Sequence, residues 1–279
     1  MSGRTPTLCS VHTHSNFCDG KNSMAEMAAA AFAAGVKHYG FSGHIHTPCP
    51  SDVGVCMAAD MTAYRAEALR LRQEYAGRME ILLGIEWDLC SDLAVPDWAD
   101  YWIGSVHNLY REDSGQYYCV DWKAEELECG RDECFGGDME AMAEAYYAAV
   151  AEVAALRPTI LGHVDLITKL NENNRFFDEA SPRYRAAALD ALHCADPAAT
   201  VLEINTGAMA RGYRQTPYPA QFLLKEWKRM GGRIILTADA HSADRILYGY
   251  EAAAAWAEAA GFDSAVLLTA HGFVDCLLR

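Results

Sequence analysis

The sequence contains no uninterrupted apolar run of about 18 residues, which is the length that a membrane-spanning helix needs. Its ten cysteines include no Cys-x-x-Cys pair, and no Pro- or Ser-rich linker or internal repeat divides the 279 residues. The start of the chain, from Met1 to Leu8, is polar and short, so no secretory signal is expected there. We therefore expect a cytoplasmic protein whose cysteines are reduced thiols.

Basic residues are also scarce. Lys and Arg number 23 against 38 Asp and Glu, which gives a formal net charge of -15. A nucleic-acid polymer or an anionic membrane is therefore not expected as a partner, because both attract a basic surface. A small phosphorylated substrate is compatible with this charge if bound metal ions supply positive charge at the site.

Short β-rich runs alternate with Ala-rich helical stretches along almost the whole chain. The runs are apolar on successive residues, as in parallel strands that are covered on both faces. The predicted strands are 8–14, 38–44, 80–88, 101–106, 159–164, 200–205 and 233–237. The predicted helices are a run to Ala34 that opens with a capping box at Ser23 and Glu26, then 61–75, 139–156, 182–193, 220–230 and 251–260. This alternation indicates a parallel α/β barrel or a doubly wound sheet.

One segment interrupts the alternation. Residues 110–138 are polar, aromatic and acidic, and the segment is too long for an ordinary connection. We expect residues 1–279 to form a single domain in which this segment is a functional insertion or a lid over the site.

Residue types that bind metal ions fall at the ends of the predicted strands. Asp19 lies just past the first strand, and eight others end six of the seven strands: His12, His14, His44, Glu86, His107, His163, Asp239 and His241. Parallel strands bring their ends to one rim, where the active sites of α/β barrels are built. His12 and His14 stand two apart on an extended segment and therefore point to the same side, where both can bind one ion.

The ordered motifs resemble those of the PHP (polymerase and histidinol phosphatase) family. They run from about residue 8 to about residue 250 in the family's order, and the full set is far more specific than a lone His-x-His. Within the family, the chain is most similar to the stand-alone histidinol-phosphatases of histidine biosynthesis. The matching segments are Val11-His12-Thr13-His14 with Asp19, Phe41-Ser42-Gly43-His44, Gly84-Ile85-Glu86, Gly104-Ser105-Val106-His107, Gly162-His163-Val164-Asp165, Glu203-Ile204-Asn205-Thr206 and Thr237-Ala238-Asp239-Ala240-His241-Ser242.

The resemblance implies a distorted (βα)7 TIM-like barrel with a trinuclear metal centre at the C-terminal rim of the strands. Mixed imidazole and carboxylate ligation suits three divalent ions of zinc, manganese or iron without choosing among them. The sequence departs from the family pattern at Asp19, where many relatives have histidine, and at Ser42, where an aspartate is usual. Carried over by motif, the ligand sets are His12, His14, Glu86 and Asp239 for the first ion, Glu86 as a bridge to His107 and His163 for the second, and Asp19, His44 and His241 for the third.

The resemblance also implies a metal-dependent phosphomonoester hydrolase that converts L-histidinol phosphate and water to L-histidinol and phosphate. Two ions roughly 4 Å apart lower the pKa of a bridging water, so we expect attack by a bridging hydroxide without a phospho-enzyme. The candidate catalytic residues are Glu86, Asp239 and His241. Of these, Asp239 or His241 is the candidate to pass a proton to the departing alcohol.

The substrate needs further contacts. Arg211 and Arg214 follow the sixth strand and are candidates for binding phosphate, because arginine binds it through bidentate hydrogen bonds, and Arg211 fits the family pattern best. Weaker phosphate candidates are Lys169 and Arg175. Candidate contacts for an ammonium and an imidazole, chosen for charge complementarity, lie in the insertion: Asp113, Tyr117, Asp121 and Trp122.

Two alternatives stay open. The first is a PHP phosphoesterase that acts on small nucleotides or on nucleic-acid ends, although the acidic composition disfavours a polymer. The second is a non-catalytic metal-binding scaffold or sensor, which the intact ligand set disfavours.

Overall fold

The computed structural model describes residues 8–278, so the sequence expectations for residues 1–7 and for Arg279 lie outside the described residues. The strands are β1 Leu8–Ser10, β2 Val36–Phe41, β3 Glu80–Asp88, β4 Tyr101–Ser105, β5 Asn108–Arg111, β6 Gln116–Cys119, β7 Ile160–Leu161, β8 Val201–Asn205, β9 Arg233–Thr237, β10 Ser264–Thr269 and β11 Gly272–Leu277. The α-helices are α1 Met24–Ala33, α2 Thr62–Glu74, α3 Ala124–Phe135, α4 Met139–Ala155, α5 Pro182–His193, α6 Gly207–Ala210, α7 Gln221–Arg229 and α8 Tyr250–Ala259. No helix within residues 8–278 has the length and apolar content that crossing a membrane requires.

Seven parallel strands form one sheet in the order β1-β2-β3-β4-β7-β8-β9. Beyond the two outer strands, the Ala240 amide donates to the His12 carbonyl at 3.1 Å, and the His14 amide donates to the Ala240 carbonyl at 2.9 Å. These bonds bring the first and last strands together, so the sheet is a nearly closed barrel. The predicted seven-stranded barrel is confirmed, and the doubly wound sheet is wrong.

The side chain of Tyr101 crosses the inside of the barrel. A Cβ atom at Gly40 or Gly84 would lie 2.3 or 2.4 Å from Tyr101 atoms, so both positions require glycine. The Tyr101 hydroxyl lies 2.5 Å from the carbonyl oxygen of Val11 and 3.0 Å from that of Phe41. Tyr101 therefore joins β4 to the chain after β1 and to the end of β2, beside the residues that enter the site.

An antiparallel hairpin, β10–β11, packs against β1, β2 and β9. Val266 and Leu268 are buried in the same apolar cluster as the barrel interior. The Ala270 amide donates to Glu80, the first residue of β3, at 3.0 Å. The hairpin therefore covers the end at which the barrel strands begin, and the opposite end carries the site.

Segment 110–138 contains the end of the β5–β6 hairpin and α3. Helix α3 packs against β6 and α4, and it buries Leu127. The capping box predicted at the start of α1 is present, since the Ser23 hydroxyl accepts from the Glu26 amide and the Glu26 carboxylate accepts from the Ser23 amide.

Candidate metal centre

Glu86 lies at the centre of the buried donor groups. Its Oε2 atom lies 3.2 Å from His12 Nε2, 3.4 Å from His14 Nε2 and 3.0 Å from His44 Nδ1. His12 and His14 follow β1, His44 follows β2, and Glu86 lies on β3. The ends of β1 and β2 thus direct three imidazoles at one carboxylate oxygen on the neighbouring strand β3, as the strand-end argument predicts.

The other oxygen of Glu86 faces a second pair of imidazoles. Oε1 lies 2.9 Å from His163 Nε2 and 3.4 Å from His107 Nε2, and it accepts a hydrogen bond from the Ser105 hydroxyl at 2.8 Å. His107 follows β4 and His163 follows β7. Glu86 therefore lies between two groups of imidazoles, the position that a bridging carboxylate needs.

Asp239, which follows β9, completes the inner group. Its Oδ1 lies 3.1 Å from His14 Nε2, 3.6 Å from His12 Nε2 and 3.4 Å from His241 Nδ1. Its Oδ2 accepts a hydrogen bond from Arg211 Nη2 at 3.0 Å. The carboxylate is thus held between imidazoles on one side and a guanidinium on the other.

The backbone of Asp239 has φ of +48°, a left-handed conformation that is uncommon for a residue other than glycine. A Cβ atom at Gly207 would lie 2.4 Å from Asp239 Oδ2 and 2.9 Å from Arg211 Nη2. The absence of a side chain at Gly207 therefore allows this pair to form, and strain of this kind is often found at functional sites.

A third group surrounds Asp19, in the loop after β1. Its Oδ2 lies 3.0 Å from His241 Nε2, and its Oδ1 lies 3.7 Å from both His14 Nδ1 and His44 Nε2. The Asp19 side chain is 29% exposed, whereas Glu86 is 1% exposed. The third group is therefore the part of the centre most open to solvent.

Several buried donor atoms in this centre have no hydrogen-bond partner among the residues that the structure describes. They include Nε2 of His12, Nε2 of His14 and Oε2 of Glu86, and these three residues can place one donor atom each within 4.8 Å of one another. Buried polar atoms are nearly always paired, so a convergent unpaired set needs a physical reason. Imidazole nitrogens and carboxylate oxygens at such separations are the donors that transition metals and zinc take. The donor set therefore fits the divalent ions that the motifs imply.

Two further carboxylates, which are not among the predicted site residues, bond two of the imidazoles at the ring nitrogens that face away from Glu86. Glu203 Oε1 lies 2.5 Å from His12 Nδ1, and Asp88 Oδ2 lies 3.0 Å from His107 Nδ1. Asp88 stands two residues after Glu86 on β3, so strand alternation could have placed both on one side. Glu203 is part of a motif, but its pairing with His12 depends on the closure of the barrel.

The charges in the centre are strongly coupled. Burial opposes ionisation of Glu86, but His12, His44 and His107 outweigh burial and hold its pKa well below the usual range. Burial, together with the neighbouring His241 and His44, lowers the pKa of His14 to about 3. His14 is therefore a neutral imidazole with a free lone pair, which is the form that binds a metal ion.

A cavity of about 270 Å³ opens onto these groups and is lined by Arg211. Arg214 does not line it, so the structure does not bring this predicted phosphate contact to the site. Its guanidinium bonds the Glu179 carboxylate at 2.7 Å and the Thr168 carbonyl at 3.0 Å, and it faces a separate cleft. The pairing with Glu179 holds the Arg214 side chain away from the cavity.

The other candidate substrate contacts divide in the same way. Lys169, Asp121 and Trp122 line the cavity. Asp113 pairs with Arg111, Tyr117 packs against Tyr110 with ring centroids 4.8 Å apart, and Arg175 is exposed over Phe176. The cavity lining also includes residues without a sequence expectation, among them Asp52 and Tyr213.

A parallel barrel whose C-terminal mouth gathers buried imidazoles and carboxylates beside an arginine-lined cavity is the architecture of a metal-dependent hydrolase. The chain belongs to the PHP domain family, whose model matches residues 10–207. The resemblance read from the motifs is thereby confirmed.

Curated relatives and solved structures agree with this family. The chain is 27% identical to the histidinol-phosphatase of Bacillus subtilis over 86% of this chain and 96% of the relative. It is 30% identical to a probable histidinol-phosphatase of Deinococcus radiodurans over 84% of this chain and 86% of the relative. The histidinol phosphate phosphatase of Lactococcus lactis, solved with zinc, L-histidinol and phosphate, has a TM-score of 0.71 at 22% identity and covers 95% of this chain and 98% of its own.

Proposed function

We propose that the protein hydrolyses L-histidinol phosphate to L-histidinol and phosphate with the help of divalent metal ions. The observation that carries this proposal is the set of buried, unpaired donor atoms around Glu86 at the floor of a cavity that Arg211 lines. The names of the relatives from Bacillus subtilis and Deinococcus radiodurans support the choice of substrate.

We assign the ions to three positions, with Glu86 shared between the first two. The zinc in the Lactococcus lactis structure supports zinc, and the nitrogen and oxygen donors suit manganese and iron as well. The proposed ligands, supported by the distances between their donor atoms, are His12, His14, Glu86 and Asp239 for one ion, Glu86, His107 and His163 for the next, and Asp19, His44 and His241 for the third.

When bound there, the ions would supply a water of lowered pKa and positive charge for the phosphoryl oxygens. Arg211 contributes its own guanidinium to the phosphate, and its bond to Asp239 Oδ2 at 3.0 Å directs it to the cavity. Asp239 and His241 lie on the same wall. Burial opposes ionisation of Asp239, but Arg211 and His12 outweigh it and hold its pKa well below the usual range, so His241 is the residue placed to give a proton to the departing alcohol.

We also propose that segment 110–138 is a lid within a single domain that spans the chain. Asp121 and Trp122, which follow β6, line the cavity and support this role. The ten cysteines are all unpaired, which supports a cytoplasmic location.

The test combines metal analysis with a substrate panel. The purified protein is analysed for metal content by mass spectrometry, and phosphate release is measured from L-histidinol phosphate, nucleoside monophosphates and a single-stranded oligonucleotide. We expect bound zinc, manganese or iron and a kcat/KM for L-histidinol phosphate that exceeds the other values.

Two results would contradict the proposal. A preference for a nucleotide or the oligonucleotide would assign the protein to the alternative phosphoesterase class. A metal-loaded protein that releases phosphate from none of the substrates would support the non-catalytic scaffold.

A further inference from the structure

The carboxylates around the cavity differ in the groups that neutralise them. Six carboxylate side chains line it, and four of these bond imidazoles of the metal centre: Asp19, Glu86, Asp88 and Asp239. The remaining two, Asp52 and Asp121, contact none of these imidazoles within hydrogen-bond distance. They form a separate acidic wall that the proposed chemistry does not use.

Asp52 accepts hydrogen bonds only from neutral groups among the described residues. The donors to its Oδ2 are the Thr47 hydroxyl at 2.5 Å and the Asn108 amide at 2.9 Å, and the Ser51 hydroxyl lies 3.4 Å from Oδ1. No lysine, arginine or histidine within residues 8–278 pairs with it. Asp52 is therefore fixed in place by neutral donors, and its negative charge is available to a cation in the cavity.

Asp121 has a cationic partner, but a flexible one. Lys169 Nζ lies 2.7 Å from Asp121 Oδ2, and the Cys119 thiol donates to Oδ1 at 3.3 Å. The Lys169 and Asp121 side chains are only 11% and 17% exposed. Lysine carries its charge on a four-carbon chain with three donors that rotate freely, so it can exchange one anion for another without moving the backbone.

The Cys119 thiol lies beside this acidic wall and contacts Asp121 Oδ1 at 3.3 Å. Burial raises the pKa of Cys119, and the carboxylates of Asp121 and Asp52 raise it further. Arg211, on the metal side, also lies in the field of Asp121. The cavity lining therefore includes a guanidinium at Arg211, which is bonded to Asp239, and the acidic wall at Asp52 and Asp121, where Lys169 pairs with Asp121.

We propose that Asp52 and Asp121 form a subsite for a cationic leaving group, and that Lys169 passes from Asp121 to the phosphate of the substrate as it binds. This inference rests on the proposed function, because it takes the substrate to carry an ammonium and an imidazole as well as a phosphate. When such a substrate binds, the internal pair between Lys169 and Asp121 is replaced by two pairs, one between Lys169 and the phosphate and one between Asp121 and the cationic leaving group. An ester with a neutral leaving group would leave Asp121 buried without a cation, and this cost disfavours it.

The test measures binding of the two product halves separately. L-Histidinol and inorganic phosphate are titrated by calorimetry into the metal-loaded protein and into Asp52→Asn, Asp121→Asn and Lys169→Gln. The matched control is Asp113→Asn, in the same insertion as Asp121 but paired with Arg111 outside the cavity. Thermal unfolding of each variant shows whether the fold is retained.

Both asparagine variants should weaken L-histidinol binding by about tenfold. Asp52→Asn should leave phosphate binding within about twofold, whereas Asp121→Asn should tighten phosphate binding, because Lys169 is then released from its carboxylate partner. Lys169→Gln should do the opposite, with tighter L-histidinol and weaker phosphate. An ion pair with only a structural role would not produce these opposite effects, because its loss would weaken the binding of both ligands or of neither. Asp113→Asn should match the wild type.

The outcomes separate this inference from the proposed function. If the wild type releases phosphate from L-histidinol phosphate but the asparagine variants bind L-histidinol unchanged, the subsite is wrong and the function stands. If the variants lose L-histidinol binding but no phosphate is released from L-histidinol phosphate, the subsite stands and the function is wrong. A wild type that does not bind L-histidinol overturns the subsite.

Discussion

The directions of His12 and His107 in the centre are set by carboxylates that bond their second ring nitrogens, Glu203 for His12 and Asp88 for His107. Glu203 accepts from His12 Nδ1, from the His163 amide at 2.9 Å and from the Thr237 hydroxyl at 2.6 Å. This carboxylate fixes His12 with Nε2 toward Glu86. Carboxylates that act on a ligand in this way are worth about 10- to 100-fold in metal affinity.

We therefore expect Glu203→Gln to weaken metal binding by at least about tenfold, because an amide holds the His12 ring less firmly than a carboxylate. Metal retained after dialysis against a competing chelator measures the change, and circular dichroism checks the fold. The matched control is Glu80→Gln, since Glu80 Oε2 lies 2.8 Å from His38 Nδ1 in a similar pair outside the centre. Equal metal retention in the two variants would show that Glu203 has no positioning role.

The two arginines after β8 offer a second comparison. Arg211 lines the cavity, whereas Arg214 is engaged by Glu179. We expect Arg211→Ala to lower kcat/KM for L-histidinol phosphate by about 100-fold, since a hydrogen bond to a charged group contributes about 1.5–3 kcal/mol. Arg214→Ala should keep kcat/KM within about threefold and lower the thermal midpoint instead. Steady-state kinetics and thermal unfolding of both variants test this comparison. A larger loss of kcat/KM in Arg214→Ala than in Arg211→Ala would contradict the assignment of Arg211 to the phosphate.

Among the strands, Tyr101 connects β4 to the two segments that carry His12 and His44. Its hydroxyl is shared by the carbonyls of Val11 and Phe41, two residues that are fully buried inside the barrel. Tyr101→Phe should therefore reduce the free energy of unfolding by about 1–3 kcal/mol, the cost of leaving a buried acceptor unpaired.

Urea unfolding checks this value, and Tyr218→Phe is the matched control. The Tyr218 hydroxyl is also buried but has no hydrogen-bond partner within residues 8–278, so its removal should leave the stability unchanged or raise it. If both substitutions destabilise the protein equally, the carbonyl contacts of Tyr101 contribute nothing specific.

The elements that could be predicted from the sequence are those with a strong local pattern. Each of the seven predicted strands overlaps a barrel strand, and β3 and β9 have the predicted bounds, because strands buried on both faces are apolar at successive positions. Strands β5, β6, β10 and β11 and helix α3 were not predicted. Strand β11 is mostly exposed and α3 buries few side chains. Neither therefore has the regular spacing of apolar residues by which a strand or a helix is predicted from sequence.

At the scale of the whole molecule, the metal centre was predictable because parallel topology alone brings strand ends together. This rule and the positions of the strands predict that the nine candidate ligands gather at one rim, whereas their division among three ions came from the resemblance to the PHP family. The environment of Arg214 was not predictable, since it depends on Glu179 from another loop. The same holds for Asp52, whose place on the cavity wall follows from the packing of the loop after β2.

The centre also concentrates negative charge in an already acidic chain, so metal ions should stabilise the whole fold. Glu86, Asp239 and Glu203 are buried together, and the chain has a net charge of -15. An ion that binds only the folded state adds about 2.7 kcal/mol when its free concentration is 100 times its Kd. We expect a chelator to abolish phosphate release and lower the thermal midpoint, and zinc, manganese or iron to restore both. Glu86→Gln should respond weakly to either treatment, because it lacks the shared carboxylate. A chelated protein with unchanged midpoint and full activity would mean that the buried carboxylates are neutralised by their histidines alone.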